Sequence, residues 1–443
     1  KREMIGSEGM VLLDMIRRLN RRSATGHLLK LIQKTHPADT KKPLDDSFIK
    51  RLAEVQKDHE SGNCAAAECG YRELIDRQPA IWQLHYNLGM LLFDQHRFEE
   101  ALKCYLDGIA VNDKSVDLLY NVGICLKELN RLGEAGDFYR KAVALAPNDI
   151  DCRYNLAGCY RAEGREAEAL TTYFDILELN PGHVPSLNNA AYLSHKSGKI
   201  DTARELYRRI LTSDPDHAAA DHMLAALSGV ERTTAPESYV RDVFDQFAAQ
   251  YDNSLESNLH YRLPAQLLEF YRLIAFKQDG VRLLDLGCGT GLVGEQFRAI
   301  CSFMTGVDLS IQMVEAARNK NIYKSLYVSE IVSFLLKNQQ QTYDLMISAD
   351  VFPYMGDLSP VLTAAREWVM SNAYFLFSVE HDRSDAVRPQ LQKSGRFSHS
   401  SGYLESTAAA AGWNIRARKF VDLRKERGGW VKGTIYALQK NRL

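Results

Sequence analysis

Apolar residues recur three and four apart through the first half of the chain and gather in short runs through the second. Between Phe48 and Leu227 the helical spacing is broken at intervals by Gly or Pro. From Val281 onward the runs Val281–Leu286, Phe303–Val307, Leu326–Val328, Tyr343–Ser348 and Asn372–Val379 alternate with amphipathic stretches such as Leu309–Asn319. That order predicts an all-helical region followed by an α/β region with a mostly parallel sheet. Beyond a helical Gly402–Ala411, the runs Trp413–Val421 and Lys432–Gln439 predict a closing antiparallel hairpin, joined by a basic Arg424–Gly429 loop read as a solvated tip.

The helical half repeats itself at a period of 34 residues. One column reads Ala67, Ala101, Ala135, Ala169, Ala203; a second reads Tyr71, Tyr105, Tyr139, Tyr173, Tyr207; a third reads Pro79, Asp113, Pro147, Pro181, Pro215. A small residue lets two helices approach, the Tyr one turn on packs between them, and Pro ends the second helix. Gly62, Gly164 and Gly198 mark the turn within three repeats. The pattern resembles the tetratricopeptide repeat in five copies, which implies a superhelix with a concave groove. Asn87, Asn121, Asn155 and Asn189 form a further column, preceded in three repeats by Tyr86, Tyr120 and Tyr154. Such an amide ladder could grip a peptide backbone, as a similar ladder does in protein O-GlcNAc transferases; equally, Tyr-Asn is frequent at these repeat positions.

The chemistry points to Val281–Arg298, VRLLDLGCGTGLVGEQFR, a buried strand, a glycine turn and a helix start. Gly289-Thr-Gly291-Leu-Val-Gly294 fits the dinucleotide fingerprint, with Asp308 near the end of the next strand to hold a ribose. Gly287-Cys288-Gly289-Thr-Gly291 after Leu-Leu-Asp285 fits a narrower pattern, resembling the first motif of class I S-adenosylmethionine-dependent methyltransferases. Asp285 favours a cofactor with a sulfonium and an ammonium group over a pyrophosphate, and the closing hairpin points the same way. The resemblance implies S-adenosylmethionine as cofactor, held by Asp285, Gly287, Cys288, Gly289 and Gly291. It implies Asp308 and Leu309 at the ribose, Glu330 and Ile331 near the adenine, and Asp350 beside the transferred methyl. It also implies Tyr251 as the end of a lid helix over Val240–Tyr251. Arg262 is a candidate for the cofactor carboxylate, on equal terms with a structural ion pair.

The acceptor side is less defined. Glu380 and His381 end the fifth strand and are the candidates to face an acceptor, with His399 and His260 as further possible bases. The Gly395–Ser400 run and Tyr403 resemble the substrate-side loop of bacterial methyltransferases with N-terminal tetratricopeptide repeats. Asp350-Val-Phe-Pro-Tyr354 is only distantly similar to the NPPY run of amide- and adenine-methylating enzymes. The favoured reading is methyl transfer to a protein or peptide chosen by the repeat groove. The alternatives are a small-molecule methyltransferase whose repeats serve docking or assembly, and an inactive scaffold, which the intact glycine motif argues against.

Composition narrows the setting. The 443 residues exceed one ordinary core, and a formal net charge of −1 gives no basis for nucleic-acid or membrane-surface binding. The 8 cysteines are scattered without a CxxC pair, which points to reduced thiols in a cytoplasm and to no metal site. No apolar run is long enough to cross a bilayer. The expected organisation is a helical cap or extension over 1–47, the array and a capping helix over 48–228, a linker over 229–238 and a Rossmann-like methyltransferase domain over 239–443, with a seven-stranded sheet. Within the first segment, Met10–Ile32 is an amphipathic helix with clustered arginines, read as an end cap in preference to a docking helix.

Overall fold

The computed structural model describes residues 44–247, 261–275, 277–337, 341–382, 384, 386–426 and 429–440. The expected Met10–Ile32 helix lies outside them. Two compact units divide the chain between Ile210 and Leu211.

The first unit is a succession of helix pairs: α1 (Asp46–Glu60) with α2 (Cys64–Arg77), α3 (Trp82–Asp94) with α4 (Phe98–Val111), α5 (Val116–Glu128) with α6 (Leu132–Leu145), α7 (Ile150–Ala162) with α8 (Glu166–Leu179), and α9 (Val184–Lys196) with α10 (Ile200–Ser213), whose end passes the division. The sequence sets each boundary. Ser115, Asp149 and His183, one period apart, accept the N–H of Leu118, Cys152 and Ser186 and so cap the first helix of their repeats. The turn inside each repeat needs a left-handed residue. Gly62, Gly164 and Gly198 supply it at φ of 76, 75 and 80°, and His96 and Asn130 adopt it at 58 and 57° where glycine is missing.

The Ala and Tyr columns are buried throughout, and at Tyr105 and Tyr139 a glycine of the preceding helix makes room for the ring. A Cβ on Gly89 or Gly123 would stand 2.6 Å from a ring carbon of Tyr105 or Tyr139. Gly123→Ala is therefore expected to lower stability by about 1–2 kcal/mol, overpacking outweighing the helix-propensity gain. Urea denaturation followed by circular dichroism would measure it, and an unchanged midpoint would contradict the close packing.

The second unit opens with α11 (Ala218–Ser228), α12 (Glu237–Phe247) and α13 (Leu263–Ile274). His222 of α11 bonds through Nε2 to the Gly395 carbonyl at 2.8 Å, which ties this helix to the same unit. The strands are β1 (Val281–Leu286), β2 (Cys301–Asp308), β3 (Ser325–Val328), β4 (Tyr343–Ser348), β5 (Val369–Asp382), β6 (Gln390–Leu391), β7 (Phe397–Ser400), β8 (Trp413–Glu426) and β9 (Gly429–Lys440). Strands β3, β2, β1, β4 and β5 run parallel in that spatial order; β9 adds antiparallel to β5, and β8 to β9. This is the expected mostly parallel sheet with a closing hairpin. A small β6–β7 hairpin extends it, β7 pairing with β5 over Glu380–Asp382.

Helices α14 (Leu292–Phe297), α15 (Ile311–Asn319), α16 (Ile331–Leu335), α17 (Ser359–Ala365) and α18 (Ser401–Ala410) join the strands. Both sheet faces are covered. Leu284, Met346 and Phe375 pack with Leu335, Leu362 and Leu404 in one core, and Leu283, Leu345 and Leu376 pack with Leu267, Phe270 and Phe297 in the other. One expectation is corrected. Arg424 is no part of a solvated tip; it lies inside β8 and is only 4% exposed, because three carboxylates converge on it.

Candidate active site

At the end of β1 the N–H groups of Gly287 and Cys288 both donate to the Val307 carbonyl, at 2.7 and 3.0 Å, which turns the chain sharply. Gly287, Gly289 and Gly291 all take positive φ, at 75, 52 and 94°. A Cβ on Gly287 would lie 2.2 Å from Val351 Cγ2, whereas one on Gly289 would meet nothing within 4 Å. The turn is pinned on its sheet side and open above. The Cys288 sulfur is buried, 2.9 Å from where a Cβ on Gly306 would stand, and burial pushes its thiol well above the ordinary range.

Asp285 is fully buried beneath the turn. Its Oδ2 accepts from the Tyr323 hydroxyl at 2.6 Å; its Oδ1 is buried with no hydrogen-bond partner. Burial pushes the carboxyl up to about 7, the Tyr323 hydrogen bond opposes that, and the Asp308 charge adds to it. Among the described residues no cation pairs with Asp285. A ligand bearing an ammonium group would supply the missing partner, whereas a pyrophosphate would add negative charge beside two acids. The chain thus fits S-adenosylmethionine better than a dinucleotide.

Asp308 ends β2, its Oδ2 accepting from Gly289 N–H at 2.8 Å and its Oδ1 from Ser310 N–H at 2.9 Å. Burial raises its pKa while these main-chain donors lower it, with a net upward shift. Ser310 caps α15 and donates its hydroxyl to Asp245 of α12. Phe244 of α12 meets the Tyr354 ring edge-on at 5.1 Å. Helix α12 therefore reaches from the loop after β2 to the loop after β4, along the carboxyl ends of the strands. Tyr251 and His260 lie outside the described residues.

The other candidates are placed as follows. Leu309 is half-buried beside Asp308, and Ile331 joins the core. Glu330 caps α16, its two oxygens accepting from Val332 and Ser333 N–H at 2.8 and 2.6 Å. Arg262 is exposed at the start of α13. Asp350, at φ 60°, is held by both oxygens on Arg424 Nη1 at 2.5 and 2.7 Å. Glu380 accepts from Arg424 and from Arg396 Nε at 2.7 Å, and Glu426 accepts from Arg424 Nε at 2.6 Å and Arg396 Nη2 at 2.7 Å. Burial pushes the Asp350 carboxyl up while Arg424 pulls it down. In Arg424, burial is overcome by the carboxylates, and the guanidinium stays firmly charged. The two-point contact decides for the ionised pair.

Three carboxylates against two guanidiniums leave this cluster one negative charge in excess. Glu380 is thereby a member of an ion-pair network rather than a free base. His381, next along β5, lines a cleft of about 250 Å³ with Glu380, Gln392, Ser398 and Lys432. Its Nδ1 is buried without a partner, and its ring stands edge-on to Phe420 at 5.3 Å. His399 instead directs Nε2 at the carbonyls of Met355 and Gly356, at 3.1 and 2.9 Å, and serves as a structural donor.

In the repeats, each asparagine of the column donates to the carbonyl four residues back: Asn87 to Gln83, Asn121 to Asp117, Asn155 to Asp151 and Asn189 to Pro185. Asn155 and Asn189 also donate to the hydroxyls of Tyr120 and Tyr154 in the preceding repeat, at 3.2 and 3.0 Å. Their oxygens accept from Lys127 and Arg161 at 2.9 and 2.6 Å. These amides tie neighbouring repeats together. Tyr86 packs against Tyr105, with ring centroids 6.0 Å apart.

The sequence matches the family described as Methyltransferase domain over residues 255–419, and tetratricopeptide-repeat families over 59–107, 86–150, 126–191 and 184–217. It is 27% identical over 139 residues to a malonyl-[acyl-carrier protein] O-methyltransferase of Bacillus anthracis, covering 30% of this chain and 50% of that protein. It is 26% identical over 141 residues to a ubiquinone biosynthesis O-methyltransferase of Bordetella avium, covering 31% and 58%. The chain thus spans about half the length of the curated relatives it matches. A solved magnesium protoporphyrin IX methyltransferase from Synechocystis PCC 6803 with bound S-adenosylmethionine is similar at 14% identity and TM-score 0.37, covering 46% of this chain and 97% of that one. The second unit is a class I S-adenosylmethionine-dependent methyltransferase domain. The chain as a whole joins it to an N-terminal tetratricopeptide-repeat region.

Proposed function

We propose that this chain transfers the methyl group of S-adenosylmethionine to a hydroxyl oxygen of a small acceptor that enters at the carboxyl ends of β4 and β5. The observation that carries the reading is Asp285 Oδ1, buried and unpartnered under an open glycine turn. Bound there, the cofactor supplies an electrophilic methyl carbon on a positively charged sulfur. The turn and Asp308 fix its position, α12 shields one side from water, and the Asp350–Arg424 pair forms the wall beside the acceptor. The one negative charge in excess in the cluster of Asp350, Glu380 and Glu426 with Arg424 and Arg396 disfavours an anionic acceptor. A neutral hydroxyl must lose a proton as its oxygen attacks, and His381, which lines the cleft and whose Nδ1 has no partner, is the group proposed to take it.

Both curated relatives described above are named as O-methyltransferases, which supports an oxygen acceptor. The engaged amides of Asn155 and Asn189 leave fewer free donors for gripping a peptide, which favours a docking role for the repeats over a substrate groove. The test is to incubate the full chain with methyl-tritiated cofactor and a cell extract, then separate macromolecules from small molecules. Label in the small-molecule fraction is expected, and label confined to polypeptide would overturn the acceptor class.

A further inference from the structure

Tyr323 lies between α15 and β3, remote in sequence from the glycine motif. Its hydroxyl is 2.6 Å from where a Cβ on Gly294 would stand, and its ring carbon Cε2 is 3.1 Å from one on Gly291. The second half of the glycine motif thus makes room for this ring, and the hydroxyl passes over it to reach Asp285 Oδ2 at 2.6 Å. We infer that Tyr323 is a positioning residue of the cofactor site, holding Asp285 so that its free oxygen, as carboxylate, meets a positively charged amino group. The inference rests on the reading that this site binds S-adenosylmethionine.

The titratable groups around Asp285 are Tyr323, Asp308, Cys288 and Cys301, none of them cationic. Tyr323 is the hydrogen bond that favours the charged carboxyl against burial and against Asp308. Without it the carboxyl takes up a proton at higher pH and no longer attracts an ammonium group. A merely space-filling ring would be replaced by Phe at no cost to binding.

The experiment is titration calorimetry of the full chain with S-adenosylhomocysteine between pH 6 and 8.5. For the unaltered chain, affinity should fall as pH drops through about 7, where Asp285 becomes protonated. Tyr323→Phe should weaken binding about tenfold at pH 7 and displace the fall-off upward by about one pH unit, while lowering the melting temperature by a few degrees, as expected for losing one buried hydrogen bond. Gly294→Ala, which crowds the hydroxyl while keeping it, should displace the profile in the same sense. A Tyr323→Phe profile superimposable on that of the unaltered chain would overturn the inference and leave the cofactor reading standing. Failure of the unaltered chain to bind at any pH would overturn both.

Discussion

Asp285→Asn is expected to weaken cofactor binding strongly while making the unliganded protein more stable at pH 8. The carboxyl keeps its proton up to about 7 in the folded chain, against an ordinary value of 3.8. Between those values the folded state binds more protons than the unfolded state, so this group's contribution to stability declines as pH rises through the window. Above pH 7 the buried carboxylate costs the unliganded fold at most about 4 kcal/mol. Asn keeps the shape without the charge. Urea midpoints should therefore favour the Asn variant at pH 8 and converge with the unaltered chain near pH 4. Binding of S-adenosylhomocysteine should fall by at least about a hundredfold, the scale of losing one partner of a buried ion pair. A variant no more stable at pH 8 would show that Asp285 is solvated or otherwise neutralised.

Arg424→Met should destabilise the methyltransferase domain by about 3–5 kcal/mol. Arg424 alone serves Asp350, Glu380 and Glu426, and Arg396 can still hold the two glutamates but does not reach Asp350 by any hydrogen bond among the described residues. An unpaired carboxylate would then remain in the interior at a left-handed position of the backbone. Adding Asp350→Asn should recover part of the loss, because Asn tolerates that conformation and carries no charge. Thermal unfolding of the single and double variants would measure this. A loss below about 1 kcal/mol for Arg424→Met would be the behaviour of a solvated surface pair.

What was legible in the sequence was whatever depends on local chain geometry. The 34-residue columns, the strand–turn–helix of Val281–Arg298 and Asp308 at the next strand end could all be read from spacing. What was hidden depends on contacts between residues far apart. Tyr323 reaches Asp285 across 38 positions and Arg424 reaches Asp350 across 74. The local traces of Tyr323 were Gly291 and Gly294, whose missing side chains give the ring its space. Arg424 read as part of a basic loop because composition cannot show that β8 continues through it. Glu330 and the asparagine column show the opposite difficulty. Their positions suit ligands, yet the nearest main-chain groups already use them, a helix start for Glu330 and the carbonyl four residues back for each amide. His96 and Asn130 filled a turn position that sequence reading assigned to glycine alone, because the surrounding repeat outweighs their modest cost in that conformation.

The central claim is that the glycine turn and Asp285 hold S-adenosylmethionine by its charged amino end. A crystal structure of the full chain grown with S-adenosylhomocysteine tests it most directly. The account predicts the ligand's amino group within hydrogen-bond distance of Asp285 Oδ1, with its ribose beside Asp308. A ligand seated elsewhere, or an amino group directed away from Asp285 with Oδ1 still unpartnered, would contradict it.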